Sequence, residues 1–186
     1  MSKTDKPDAV ELLLQQHRHI KDLLASVENA SSTKTKQERF EELRRFLAVH
    51  ETAEELVTHP RARMVEGGNS VVDARLEEET ASKTLLASLD GMKVDDPSFE
   101  AGFKSLKKAV LDHAAAEERD EFPLLSQYSD PDQLALMAQA IKAAEAIAPT
   151  HPHPSLGSSM TTNLLAGPLA SVIDRTRDAV SSVLRG

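Results

Sequence analysis

Residues Lys107–Leu125, KKAVLDHAAAEERDEFPLL, form the second half of a long amphipathic pattern. Phe103, Leu106, Val110, His113, Glu117 and Leu124 recur at three, four and seven residues, so a helix places them on one face. So apolar a face is built for burial, yet it carries an imidazole and a carboxylate. His113 and Glu117 lie one helical turn apart, close enough to hold a common ion. A buried carboxylate is costly unless it is paired or bound to a metal. The pattern occurs twice. Upstream, RRFLAVHETAEELV (Arg44–Val57) sets His50 and Glu54 at the same spacing on the stripe Phe40, Leu43, Leu47 and Val57.

Working outward, Pro7 and Asp8 suit a helix start, and a helix is expected over Ala9–Glu28 with the stripe Val10, Leu13, His17, Ile20, Leu24 and Val27. His17 then points inward and His19 elsewhere. The second helix is expected over Lys36–Thr58, with Pro60 ending or bending it near His59. Gly67, Gly68 and Asn69 mark a turn, and a third helix is expected over Val71–Met92. Its apolar positions fit two adjacent stripes, one containing Glu79 and the other Glu78, and the pattern leaves open which glutamate faces in. The fourth helix runs from Ser98 to about Ser126, and an Ala-rich fifth over Gln133–Ala148. These lengths and breaks predict an all-α, up-down-up-down four-helix bundle with additional C-terminal helices. The expected organisation is a bundle over 1–148, a Pro/Gly/Ser-rich linker over 149–163, and an amphipathic helix over 164–186 that docks on the bundle or a partner.

Of the 186 residues, 40% are hydrophobic and 28% charged, a globular balance for one domain. The net charge is -8 and no Lys/Arg block occurs, so nucleic acid is not an expected partner. There is no signal peptide or transmembrane run, so a cytoplasmic protein that does not enter membranes is expected. Cysteine is absent. That excludes disulfides, thiolate metal sites and cysteine nucleophiles, so any metal must be held by His and carboxylate. Such a donor set suits iron, manganese or zinc better than calcium.

The pieces QQHRHIKDLL around His17, FLAVHETAEE around His50 and Glu54, EEETASKTLLASL around Glu79, and LDHAAAEERDEFPLL around His113 and Glu117 together resemble the hemerythrin-like HHE cation-binding family. The resemblance covers about Ala9 to Gln127. It implies a non-haem di-iron centre with oxo or hydroxo and carboxylate bridges. Glu54 and Glu117 would bridge, and His17, His50 and His113 would be terminal ligands. One position departs: Glu79 stands where the family usually has a third-helix His. A carboxylate favours ferric over ferrous iron, which weakens the case for reversible oxygen carriage. His59 is a further candidate ligand. On an unbroken helix it falls opposite His50, nine residues earlier, and a break at Pro60 would turn it back.

Taken singly, each of these residues has a plainer explanation. A lone inward His is more often a hydrogen-bonded core residue, and both His/Glu pairs lie in acidic runs that suit a solvated surface. The joint occurrence is what favours a metal. The expected function is a di-iron protein that binds or activates oxygen species, with catalase-like peroxide decomposition the most concrete form. The alternative is a module that senses oxygen, nitric oxide or iron without turnover and signals through the C-terminal helix.

Overall fold

The computed structural model describes residues 7–148 and Thr150. The expected linker, apart from Thr150, and the expected helix over 164–186 lie outside the described residues. All regular structure among the described residues is helical. No helix there is long and apolar enough to cross a membrane.

Asp8 caps α1 (Ala9–Glu28), its carboxylate accepting from the Glu11 N–H at 2.9 Å. Ser32 caps α2 (Thr33–Ala53) through the Thr35 N–H at 3.1 Å, which starts this helix three residues earlier than the apolar stripe implied. A π-helical turn (Glu54–Thr58) then leads into α3 (His59–Ala62). The next helix, α4 (Gly68–Leu89), begins earlier and ends earlier than expected. Its start is set by the glycines: Gly67 has φ +78°, and a Cβ on Gly68 would lie 1.8 Å from the Ala62 carbonyl oxygen. After α4, α5 (Phe99–Ala116) passes through a second π turn (Glu117–Glu121) into α6 (Phe122–Tyr128). Finally α7 (Pro131–Glu145) opens with a full capping box between Asp130 and Gln133.

The two π turns share one cause. Proline has no N–H and its ring clashes with the carbonyl four residues back. Pro60 and Pro123 each follow a π turn by two residues. The residue just before each proline donates five residues back instead: His59 N–H to the Glu54 carbonyl, and Phe122 N–H to the Glu117 carbonyl. One extra residue per turn rotates the following side chains by about 100°. With that correction His59 swings from opposite His50 to within about 80° of it, and Glu121 comes onto the His113 face. The apolar stripe shifts as well: Leu125 is buried in the core, while Leu124, expected on that face, is only partly covered.

The four long helices bury two separate apolar clusters. One joins Ile20, Leu24, Phe40, Leu43, Leu86, Phe99, Phe103 and Leu106. The Phe40 and Phe99 rings meet edge to face there, with centroids 5.0 Å apart. The other joins Leu13, Val57, Val72, Phe122 and Leu125, and is closed by Leu134, Met137 and Ile141 of α7. Between these clusters every long helix turns ionisable residues inward. His17 lies between Leu13 and Ile20, His50 and Glu54 between Leu47 and Val57, Glu79 between Val72 and Leu86, and His113 and Glu117 between Val110 and Phe122. The bundle is thus two oily ends with a buried polar layer across its middle.

Candidate metal centre

The polar layer is dry. His17, His50, Glu54, Glu79, His113 and Glu117 are each at most 6% exposed. The structure therefore turns Glu79 inward, resolving the choice between the two α4 stripes. Two groups of donor atoms form, each within 4.8 Å: His17, His50, Glu54 and Glu117; and Glu54, Glu79, His113 and Glu117. Both contain Glu54 and Glu117. A third group joins His59 with Glu117 and Glu121, so the first π turn does bring His59 to the layer.

The imidazoles are oriented alike. Nε2 faces the layer: His17 and His113 Nε2 each lie 3.3 Å from Glu117, and His50 Nε2 lies 3.3 Å from Glu54. Nδ1 is held from behind: His17 by Glu118 at 2.9 Å, His50 by Gln16 at 2.8 Å, His113 by Glu78 at 3.1 Å and His59 by Glu121 at 2.8 Å. A donor fixed at Nδ1 leaves the Nε2 lone pair for a cation, the arrangement metal-binding histidines use. Gln16 in turn donates to Glu145, so α7 braces His50 through α1.

The carboxylates at the centre have no such partners. Both oxygens of Glu54 and both of Glu117 are buried with no hydrogen bond, as are Nε2 of His17 and of His113. Buried polar atoms are nearly always satisfied, so six orphans converging on one layer point to a ligand that satisfies them together. Electrostatics agree. Burial, and then the charge of Glu117, push the Glu54 carboxyl well above its ordinary range. Burial acts on Glu117 in the same sense, but His113 and His17 outweigh it and hold that carboxyl well below. Burial with His17 beside it lowers His50 to about 3, so its imidazole is neutral. His113 is carried up to about 9 by Glu117 despite burial. The donor set is nitrogen and oxygen only, which fits iron, manganese or zinc.

Glu79 differs from the other two carboxylates in being held on both sides. His59 Nε2 lies 2.5 Å from its Oε1 and Lys83 Nζ lies 3.0 Å from its Oε2. Against burial, these two cations bring Glu79 down to about 2.

The hemerythrin HHE cation-binding domain pattern matches residues 8–125, a span that contains every residue of this layer. The chain belongs to that family. The chain is 24% identical to an uncharacterised hemerythrin-like protein of Schizosaccharomyces pombe over 170 residues, covering 90% of this chain and 84% of the relative. It is 25% identical to a DNA nickase of Nostoc over 144 residues, which span 76% of this chain and only 41% of that protein. Among solved structures, a hemerythrin HHE cation-binding domain-containing protein from Mycobacterium kansasii superposes with a TM-score of 0.66. That likeness covers 92% of this chain and 99% of the other at 20% identity, and shows the fold.

Elsewhere in the HHE chain, His19 is exposed and sets its ring against Phe46, away from the layer. Tyr128 is exposed too; its carbonyl, not its ring, takes part in the fold by accepting from Arg61. His151 and His153 lie outside the described residues. Sequence reasoning missed Gln16, Glu118, Glu121 and Lys83, and weighed Glu78 only as the inward alternative to Glu79, not as the partner of His113. Gln16, Glu78 and Glu118 adjoin His17, Glu79 and Glu117 in the chain, so adjacency to a donor was the one signal available for them.

Proposed function

We propose that the polar layer is a non-haem di-iron centre acting on peroxide or oxygen, with peroxide decomposition as the leading reaction. The supporting observation is that two donor groups overlap at Glu54 and Glu117, and that all four oxygens of these carboxylates are buried without partners. A carboxylate common to two adjacent donor groups is suited to bridging two ions. His17 and His50 complete one group; Glu79 and His113 complete the other.

Iron bound there supplies redox chemistry toward peroxide or oxygen. The chain's own residues bind, orient and exclude. Glu118, Gln16 and Glu78 fix the three imidazoles so that each presents Nε2. His59 and Lys83 hold Glu79 as an anion, and a third anionic carboxylate favours the ferric state. The apolar clusters above and below limit water at the layer. His59, raised well above its ordinary value by Glu121 and Glu79 despite its burial, keeps a proton between those two carboxylates.

Metal analysis with an ultraviolet–visible spectrum of protein purified without chelator or affinity tag tests this directly. With no Trp and one Tyr, the polypeptide absorbs little in the near ultraviolet, so charge-transfer bands stand out. Two irons per chain with such a band, and peroxide consumption that vanishes on metal removal, are the expected results. One ion per chain, or zinc without the band, overturns the di-iron proposal. Iron binding without peroxide or oxygen turnover would instead favour a sensing module.

A further inference from the structure

Beside the centre lies a second cluster that shares Glu79 and Lys83 with it and adds two carboxylates, Glu51 and Glu55, that the proposed chemistry does not use. Glu51 and Glu55 sit one turn apart, each immediately after a centre residue, His50 and Glu54. Across from them Lys83 of α4 lies one turn after Glu79. The Lys83 ammonium contacts Glu55, lies 3.0 Å from Glu79 Oε2 and lies 3.9 Å from Glu51 Oε2. Side-chain exposure falls along this set, from 11–12% at Glu55 and Lys83 to 5% at Glu51 and 1% at Glu79.

Two features are odd for a structural ion pair. First, three carboxylates crowd one ammonium in a mostly buried place, more acceptors than a single ion pair uses. Second, Glu51 Oε2 is buried with no hydrogen-bond partner although it faces this cluster. Three carboxylates turned toward one cation supply oxygen donors of the kind a divalent ion takes. Glu79 belongs to both clusters, with Oε1 toward His59 and the layer and Oε2 toward Lys83.

We propose that Glu51, Glu55 and Glu79 form a receiving site for divalent metal ions on their way to the buried centre, with the Lys83 ammonium as the built-in cation that an arriving ion displaces. The inference rests on the layer being a metal centre. An ion drawn in at Glu55 passes to Glu51 and Glu79, and Glu79 hands it to the layer by using its other oxygen. Lys83 keeps the carboxylates together until then and, once displaced, remains tethered to α4.

The test is the rate at which chelator-stripped full-length chain takes up Co(II), followed by the visible absorption of the bound ion. Glu55→Gln keeps the shape and removes one charge. It is expected to slow uptake about fivefold, one charge's share of the tenfold or more by which whole charged clefts alter association rates, with final stoichiometry unchanged. It should also flatten the dependence of the rate on salt. Lys83→Gln is expected to speed uptake by a similar factor; should that variant not fold, Glu55→Gln decides alone. A Glu55→Gln rate within twofold of the parent, with only thermal stability altered, shows a structural ion pair and overturns the proposal. Lost stoichiometry in Glu55→Gln makes Glu55 a ligand and overturns it as well. A parent chain that takes up no ion refutes the metal centre itself, a distinguishable failure.

Discussion

Glu54→Gln should stabilise the metal-stripped protein while destroying its capacity for metal. Glu54 is fully buried, and its carboxylate lies within 4.8 Å of the Glu117 oxygens. Two unit charges at that separation repel by about 3.5 kcal/mol at an effective dielectric constant of about 20. The stripped protein avoids this by keeping Glu54 protonated, since burial and Glu117 raise its pKa in the folded chain. The sign follows from linkage. A carboxyl whose folded pKa lies above its unfolded value costs nothing while both states are protonated. It costs progressively more as pH rises from the unfolded pKa to the folded one, by up to about 1.4 kcal/mol per pH unit. Glutamine carries no such cost, and its amide can donate to a Glu117 oxygen that otherwise has no partner. The gain at neutral pH is therefore about 1–3 kcal/mol after the amide's own desolvation, or a melting shift of about 2–4 °C per kcal/mol. Melting curves in chelator, recorded from about pH 5 to about pH 8, should show a gap between variant and parent that widens with pH. Titration with Fe(II) should show the variant losing at least one ion per chain. A variant less stable than the parent, a gap indifferent to pH, or full metal stoichiometry would refute the reasoning.

Three further outcomes are expected. His59→Ala removes the group that both Glu121 and Glu79 contact, so denaturant unfolding of the stripped protein should show a loss of about 3–5 kcal/mol. Because the folded His59 pKa is raised, that loss holds fully below the ordinary histidine value and shrinks as pH rises from there through the folded one; iron content that survives the change would remove His59 from the candidate ligands. His113, held at about 9, must shed its proton before Nε2 can bind a metal; calorimetry in two buffers of different ionisation enthalpy should show proton release near neutral pH and an affinity that rises about tenfold per pH unit up to that value. Gly68→Ala drives a Cβ into the Ala62 carbonyl oxygen at the α3–α4 turn and should cost about 3 kcal/mol in a circular-dichroism melt, with metal stoichiometry kept if the turn alone moves.

The parts of the fold written in side-chain periodicity were legible. The stripes of α1, α2 and α5 run through His17, through His50 and Glu54, and through His113 and Glu117, and those residues meet in one layer. The bundle follows, since polar positions in register on four apolar stripes must face one another. Legibility stopped where the period changed. Pro60 and Pro123 announced a disturbance, but a proline alone does not distinguish a kink, a stop and a π turn. Only the hydrogen bonds from His59 to Glu54 and from Phe122 to Glu117 show that one residue is inserted and the chain continues. Leu124 was assigned to the core by extending the old period, and Leu125 took its place. Glu121, in the acidic run after Glu117, is buried by the same shift. Residues that brace the histidines were hidden differently. Glu78 and Glu118 lie off the buried stripe and reach His113 and His17 from the side, a contact that depends on helix separation and not on any pattern along one helix.

The substitution of a glutamate for the usual third-helix histidine is accommodated by its neighbours and need not leave a damaged site. An extra carboxylate in a dry layer already holding Glu54, Glu117 and Glu121 raises the repulsion there. Two cations from the chain itself answer it. Lys83 is placed by the helical repeat of α4, one turn from Glu79. His59 is placed by the π turn, which swings it from the far side of its helix onto the Glu79 oxygen. A histidine at position 79 could not replace the glutamate, because an ammonium and an imidazolium would repel a protonated ring, and a neutral ring has one acceptor nitrogen where the carboxylate offers an oxygen to each cation. The three residues are therefore one unit: a carboxylate held ionised without a metal, and two cations that can release it to one. Glu79 thus differs from the other central carboxylates in being hydrogen-bonded on both oxygens, to cations that an ion can replace, whereas the oxygens of Glu54 and Glu117 make no hydrogen bond.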